Sequence, residues 1–200
     1  MTVIGVTGPS GAGKGELSQI LATRYGFIVL NADEIYHNMV SAPSKCLDEI
    51  RENFGDGVIN GSSLNRRALS ELVFGDENRD KLALLNKVTH KHVVDEINRI
   101  IESNSEASAV FVIDAPLLIE AGICPRCDFT VSVIADRTLR AKRIALRDGI
   151  SKDLALKRIN SQKDDDFYIS NTDYCIKNDS DVDFLSSSIH KILSERRVVL

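Results

Sequence analysis

The stretch that most constrains this chain is GPSGAGKG, Gly8 to Gly15, set between an apolar run and a helical pattern. TVIGVT (2–7) reads as a buried strand. After the glycines, Leu17, Ile20 and Leu21 fall on one helical face. A strand that runs through a glycine turn into a helix aims several backbone N–H groups into one concavity. There the helix dipole also favours negative charge. Gly8, Gly11 and Gly13 allow sharp turning and close approach to an oxyanion. Lys14 adds a charge suited to the outer phosphates of a triphosphate. Gly-x4-Gly-Lys in this setting is a phosphate cradle. The hydroxyl that usually follows the lysine and binds Mg²⁺ is replaced by Gly15, with Glu16 next. The backbone donors survive that change. The metal is then expected to rest on phosphates and water, with carboxylates at strand ends in its outer shell.

The same strand signal recurs in FIVLNAD (27–33), ASAVFVIDAP (107–116), DFTVSVIAD (128–136) and DYCIKND (173–179). Continuous apolar strands alternating with helices indicate a parallel five-stranded sheet covered by helices on both faces. Residues 34–106 show helical pattern and no convincing strand. They read as an inserted helical lobe. A charged helical stretch at 137–163 separates the fourth and fifth strands, and 181–196 reads as a closing amphipathic helix. The chain is expected to be one domain. Its core is 1–33, 107–136 and 167–200, its helical acceptor lobe is 34–106, and its lid is 137–166.

The chain has 200 residues and a formal net charge of −4, against the basic surface of a general nucleic-acid binder. No basic n-region precedes the glycine motif, and the apolar runs are too short to span a bilayer. A cytoplasmic protein without membrane or nucleic-acid partners, a monomer or weak homo-oligomer, is expected. Cys46, Cys124, Cys127 and Cys175 are then reduced thiols. CPRC (124–127) lacks the second Cys or His pair that a zinc site needs.

In a sheet of this type the active face lies at the carboxyl ends of the strands. Asp33 ends the second strand and Asp114 the third. Asp33 suits a proton acceptor for a substrate hydroxyl, and Asp114 an acid that orients Mg²⁺ through water. Each also reads as a helix cap. Arg140, Arg143 and Arg147 share one helix face, suited to oxyanions or to a solvated surface paired with Asp136 and Asp148. Arg66 and Arg67 suit an anionic acceptor. His37, His90, His92 and His190 include no i, i+4 metal pair.

The order of these segments resembles the dephospho-CoA kinase family over nearly the whole chain. VTGPSGAGKG stands at its nucleotide loop and NADEI at its Asp-Ala-Asp segment. LNRRALSELVFGDE and LLNKVTHKHV are similar to two stretches of its lobe. VIDAPLLIEAG is similar to its Pro-Leu-Leu-Phe-Glu signature, and ALRDGISKDLALKRINSQ to its lid. The resemblance implies a P-loop NTPase-type fold, akin to nucleoside monophosphate kinases. It also implies ATP- and Mg²⁺-dependent phosphorylation of the ribose 3′-hydroxyl of dephospho-CoA. Catalytic candidates are Asp33, Lys14 and Arg147. ATP-binding candidates are Gly8, Gly11, Ala12, Gly13, Lys14, Gly15, Glu16, Arg143 and Asn178. Acceptor candidates are Asp33, Arg66, Arg67, His90 and Leu117. Asp33 and Asp114 are metal candidates, through water. Gly15, Asn31 and Lys91 depart from the family pattern, which has a hydroxyl, an aspartate and a proline there. A kinase for another nucleotide or metabolite, and a binding-only P-loop protein, are the alternative readings.

Overall fold

The structure is a computed structural model that describes residues 1–104 and 108–199. Ala107 of the expected third strand, Ser105 and Glu106 at the lobe's end, and Leu200 lie outside the described residues. The chain forms two compact units, one of Met1–Leu30 with Ser105–Leu200 and one of Asn31–Asn104.

The first unit is built on a five-stranded parallel sheet. Its strands are β1 (Thr2–Thr7), β2 (Ile28–Asn31), β5 (Val110–Asp114), β6 (Phe129–Ile134) and β7 (Tyr174–Lys177). Their order is β2-β5-β1-β6-β7. Val112 lies opposite Ile4 on one side of β1, and Val131 opposite Val6 on the other. All six residues of β6 are buried, as continuous apolar strands require when helices cover both faces. The core joins Ile4, Val6, Val131, Val133 and Ile176 to Leu17, Ile20 and Leu21 of α1 (Lys14–Tyr25). It also takes in Leu185, Ile189 and Leu193 of α9 (Val182–Glu195). The chain leaves β1 for one edge of the sheet and later fills the other. This topology places the glycine loop at a switch point, where such sheets bind ligands.

Between β6 and β7 run α6 (Arg137–Asp148), α7 (Lys152–Asn160) and α8 (Asp165–Asn171). Ala141 and Ile144 pack with Ala155 and Ile159 in a small apolar cluster of their own. Asp136 caps α6 by accepting from the Thr138 and Leu139 N–H groups, so its carboxylate serves the helix end and is not a partner for the arginine row.

The second unit holds α2 (Ala32–Val40), α3 (Lys45–Phe54), α4 (Arg66–Val73) and α5 (Arg79–Ser103). They close over Val40, Cys46, Ile50, Val58, Leu69, Val73 and Val88. Two expectations are corrected here. A two-stranded antiparallel ribbon, β3 (Ile59–Asn60) with β4 (Ser63–Leu64), lies where no strand was expected. Its strands are too short to leave an alternating pattern, and only the turn glycine Gly61, at φ 61°, marks it. Asp33 does not end β2. The strand stops at Asn31, whose Oδ1 accepts from Glu34 N–H at 3.1 Å and starts α2. The cap is Asn31, and Asp33 stands exposed in the first turn.

Leu17 is fully buried, whereas Leu146 on α6 is 84% exposed. Leu17→Ala is expected to cost about 2–5 kcal/mol in urea unfolding, from lost transfer energy and the cavity left behind. Leu146→Ala should change stability by less than about 0.5 kcal/mol.

Candidate functional site

The phosphate-loop geometry starts from three left-handed or extended-positive glycines. Gly8, Gly11 and Gly13 have φ of 146°, 79° and 109°. Strain alone disfavours a side chain at each. Space disfavours it too, because a Cβ would meet the Val133 carbonyl at Gly8 and the Arg140 carbonyl at Gly11. At Gly13 it would meet the Asn178 side chain.

Behind the loop, three successive carbonyls are taken up by side chains. Arg140 Nε donates to Ser10 O at 3.0 Å. Arg143 Nη1 donates to Gly11 O at 3.4 Å and Ala12 O at 3.3 Å, and also to Asn178 O at 3.1 Å. Asn178 Nδ2 donates to Ala12 O at 2.8 Å in a buried bond. A peptide's N–H and C=O point in opposite directions. Carbonyls drawn to the rear therefore turn the Gly11 and Gly13 amides to the front, while the Ala12 N–H is taken up by Pro9 O at 3.2 Å. The first amides of α1 face the same way, since a helix start leaves them without intrahelical acceptors. The result is a concavity of N–H donors at the positive end of a helix, which suits a polyphosphate.

Lys14 pairs with Asp114, its side chain 17% exposed and that of Asp114 4% exposed. The ammonium stands at the loop and the carboxylate at the end of β5. Of the two expected roles for Asp114, the cap does not appear; its partner is Lys14. Gly15 lies in the first turn of α1, and a Cβ there would meet nothing within 4 Å. The place where a hydroxyl would project is open. Among the described residues no group of three or more His, Cys, Asp or Glu side chains could hold a metal ion. The donor set thus fits a cation that arrives with phosphate oxygens, not one caged by protein alone.

The arginine row divides by depth. Arg140 is buried, and burial pushes its guanidinium below its ordinary value against the pull of Asp165. Arg143 lies against the loop carbonyls. Arg147 is more open; it holds Asp148 at 2.7 Å and reaches Ser10 Oγ at 3.4 Å. Arg147 and Arg158 both pair with Asp148, which holds that carboxyl down to about 2, the Arg147 bond being the larger cause. Gln162, in the stretch after α7, accepts from Ser10 N–H at 3.1 Å and from Arg140 Nη2 at 3.0 Å. Reading by charge and glycine gave Gln162 no chemical role. Its one signal was its place in the segment similar to the family lid. Leu117, after β5, is 44% exposed.

Cys124 opens a single turn of 3-10 helix, Cys124–Arg126, and Cys127 follows it in extended conformation. The Cys124 and Cys127 thiols face the Leu118 and Ile123 carbonyls at 3.8 Å. Burial pushes the Cys127 thiol up to about 12.

In the other unit, Asp33 and His37 lie one turn apart on α2, and Arg66 hydrogen-bonds His37 Nδ1. Arg67 pairs with Glu71 at 2.9 Å on its own helix. His90 is half-buried on α5, two residues before His92, whose Nε2 meets Glu49 at 2.7 Å.

The family model described as dephospho-CoA kinase matches residues 2–183. A dephospho-CoA kinase of Fusobacterium nucleatum is 34% identical over 190 residues, 94% of this chain and 95% of that protein. One from Corynebacterium glutamicum is 30% identical over 197 residues, 98% of this chain and 97% of that protein. A solved structure from Thermus thermophilus superposes with a TM-score of 0.79 at 26% identity, covering 97% of each chain.

The loop geometry predicts a contrast between two neighbouring glycines. Gly13→Ala forces a side chain into Asn178 at positive φ and should weaken ATP binding by at least about 100-fold in calorimetry, the equivalent of roughly 3 kcal/mol. Gly15→Ala enters open space in a helical turn and should leave affinity within about threefold.

Proposed function

The chain belongs to the dephospho-CoA kinase family, and we propose that its glycine loop, Lys14 and Arg147 hold the triphosphate of ATP while Asp33 serves the acceptor hydroxyl. The reaction is the ATP-dependent phosphorylation of dephospho-CoA to coenzyme A. The observation that carries the residue assignment is the loop itself, its carbonyls gripped from behind by Arg140, Arg143 and Asn178.

In this reading the ribose 3′-hydroxyl is the nucleophile. Its oxygen forms a bond to the γ-phosphorus as the bond from that phosphorus to the β–γ bridging oxygen breaks. The electron pair leaves on ADP, and the proton passes to Asp33. The protein contributes mainly position and charge. Backbone amides of Gly11 and of Gly13 to Glu16 hold phosphate oxygens without needing reorganisation. Lys14 exchanges Asp114 for the phosphates, which leaves the Asp114 carboxylate to the cation that comes with them. Arg147, the most exposed of the row, is the lid arginine that meets the moving group. Arg143 and Asn178 serve ATP indirectly by setting the loop. Arg66, oriented by His37, with Arg67, His90 and Leu117, is assigned to the acceptor.

Mg²⁺ bound with ATP would neutralise charge on the β- and γ-phosphates. Asp114 is the residue assigned to its outer shell, through water, with Asp33 as the second acid. Gly15 contributes no ligand. No described helix is long and apolar enough to cross a membrane. The free thiols suit a reducing compartment, and the cytoplasm is the location this reading assigns. The chemistry requires neither a second copy nor a nucleic acid.

Two measurements test these roles. With dephospho-CoA, ATP and Mg²⁺, Asp33→Asn should lower kcat by about 10²–10⁴-fold, the usual worth of a general base. ATP affinity should stay near wild type, and an unchanged kcat would remove Asp33 from the chemistry. Gly15→Ser restores a hydroxyl where there is room for one. The concentration of Mg²⁺ giving half-maximal rate should fall; if it does not, the missing ligand has no bearing on metal use.

A further inference from the structure

Arg140 and Gln162 form a clasp on Ser10 that the assignment of catalytic groups leaves without a role. Ser10 is gripped at both backbone groups. Its carbonyl accepts from Arg140 Nε at 3.0 Å, and its N–H donates to Gln162 Oε1 at 3.1 Å. The clasp is closed by a third bond, from Arg140 Nη2 to the same Gln162 oxygen at 3.0 Å. One amide oxygen therefore collects two donors, from the loop and from a guanidinium only 4% exposed. Arg140 Nη1 faces Asp165 at 3.7 Å, so the fork is engaged along its length.

We propose that Gln162 is a positioning residue for ATP. Held by Arg140, it fixes the Ser10 peptide at the outer turn of the phosphate loop and ties that turn to the segment after α7. One acceptor oxygen satisfies the buried guanidinium and the loop amide together. Removing the oxygen leaves two donors without that partner, one of them charged. The Ser10 peptide can then rotate, and the amides after it lose their common direction. Because the clasp touches only the loop, the loss falls on ATP and not on the acceptor. Gln162 also borders a cleft of about 440 Å³ with Arg137 and Lys163, so a changed side chain there does not invade the core.

The proposal rests on the loop being the ATP cradle, and Gln162→Met with Gln162→Glu tests it separately. Methionine keeps the length and removes the acceptor; glutamate keeps an acceptor oxygen. Calorimetric ATP affinity, steady-state KM for each substrate and melting temperature are measured for both. Gln162→Met should weaken ATP binding and raise its KM about tenfold, the equivalent of one charge-assisted bond. KM for dephospho-CoA should stay near wild type, and the melting temperature should fall only by the few degrees that unpaired donors cost. Gln162→Glu should recover most of the ATP affinity. A role in folding alone would lower the melting temperature and the active fraction while leaving KM for ATP unchanged, which overturns the proposal. So does Gln162→Met binding ATP as wild type does, or Gln162→Glu failing as badly as Gln162→Met. Wild-type protein that binds no ATP would instead overturn the cradle, a distinguishable failure.

Discussion

Ser10, Gly11 and Ala12 turn their carbonyls onto Arg140, Arg143 and Asn178, and that fixes the peptides that carry the Gly11, Ala12 and Gly13 amides. Glycine makes the loop's dihedral angles accessible, but it does not choose among them. The choice comes from buried donors on α6 and at the end of β7. A loop left to water would sample many arrangements and lose affinity to the entropy of ordering. Here most of that cost is met on folding. A polyphosphate would then find donors already aimed, which is the condition for charge stabilisation without reorganisation.

The same constraint explains why the sheet is wound as it is. β1 must be central, with β5 and β6 on its two sides, so that Asp114 and the start of α6 both come to the loop that follows it. Steric limits repeat the message. The Gly8 and Gly11 α-carbons lie so close to the backbones of β6 and α6 that no side chain fits between them. Asn178 fills the corresponding space at Gly13. Gly15 is different, for it is free of neighbours. Packing therefore does not require a glycine at this position.

Much of this was legible in the sequence. The five strands, α5, α9 and the cradle follow from apolar runs, helical period and glycine spacing, all of which report on burial and backbone freedom. What escaped was decided by tertiary context. The β3–β4 ribbon is two residues a side, too short for an alternating pattern. The end of β2 turned on whether Asn31 or Asp33 would cap the next helix. Both residues cap well, and local preference does not rank them. Arg140, Arg143 and Arg147 share one face and look alike in sequence. Their depths differ because one faces the loop's carbonyls from within and another the solvent, a distinction no charge pattern carries. Gln162 was visible only as a letter in a similar segment, since a neutral amide gives no signal until its two donors are known.

The most direct test of the account follows the loop amides themselves. In ¹⁵N-labelled protein, the backbone resonances of Gly11 to Glu16 are followed while ATP is added without divalent cation. The account predicts saturable downfield shifts of the Gly11, Gly13, Lys14, Gly15 and Glu16 amide protons, as amides already in place donate to the arriving phosphate oxygens. Resonances from α3 and α5 should stay still. If the Gly11, Gly13, Lys14, Gly15 and Glu16 amides do not respond to saturating ATP, the loop does not hold the nucleotide, and the account built on it is wrong.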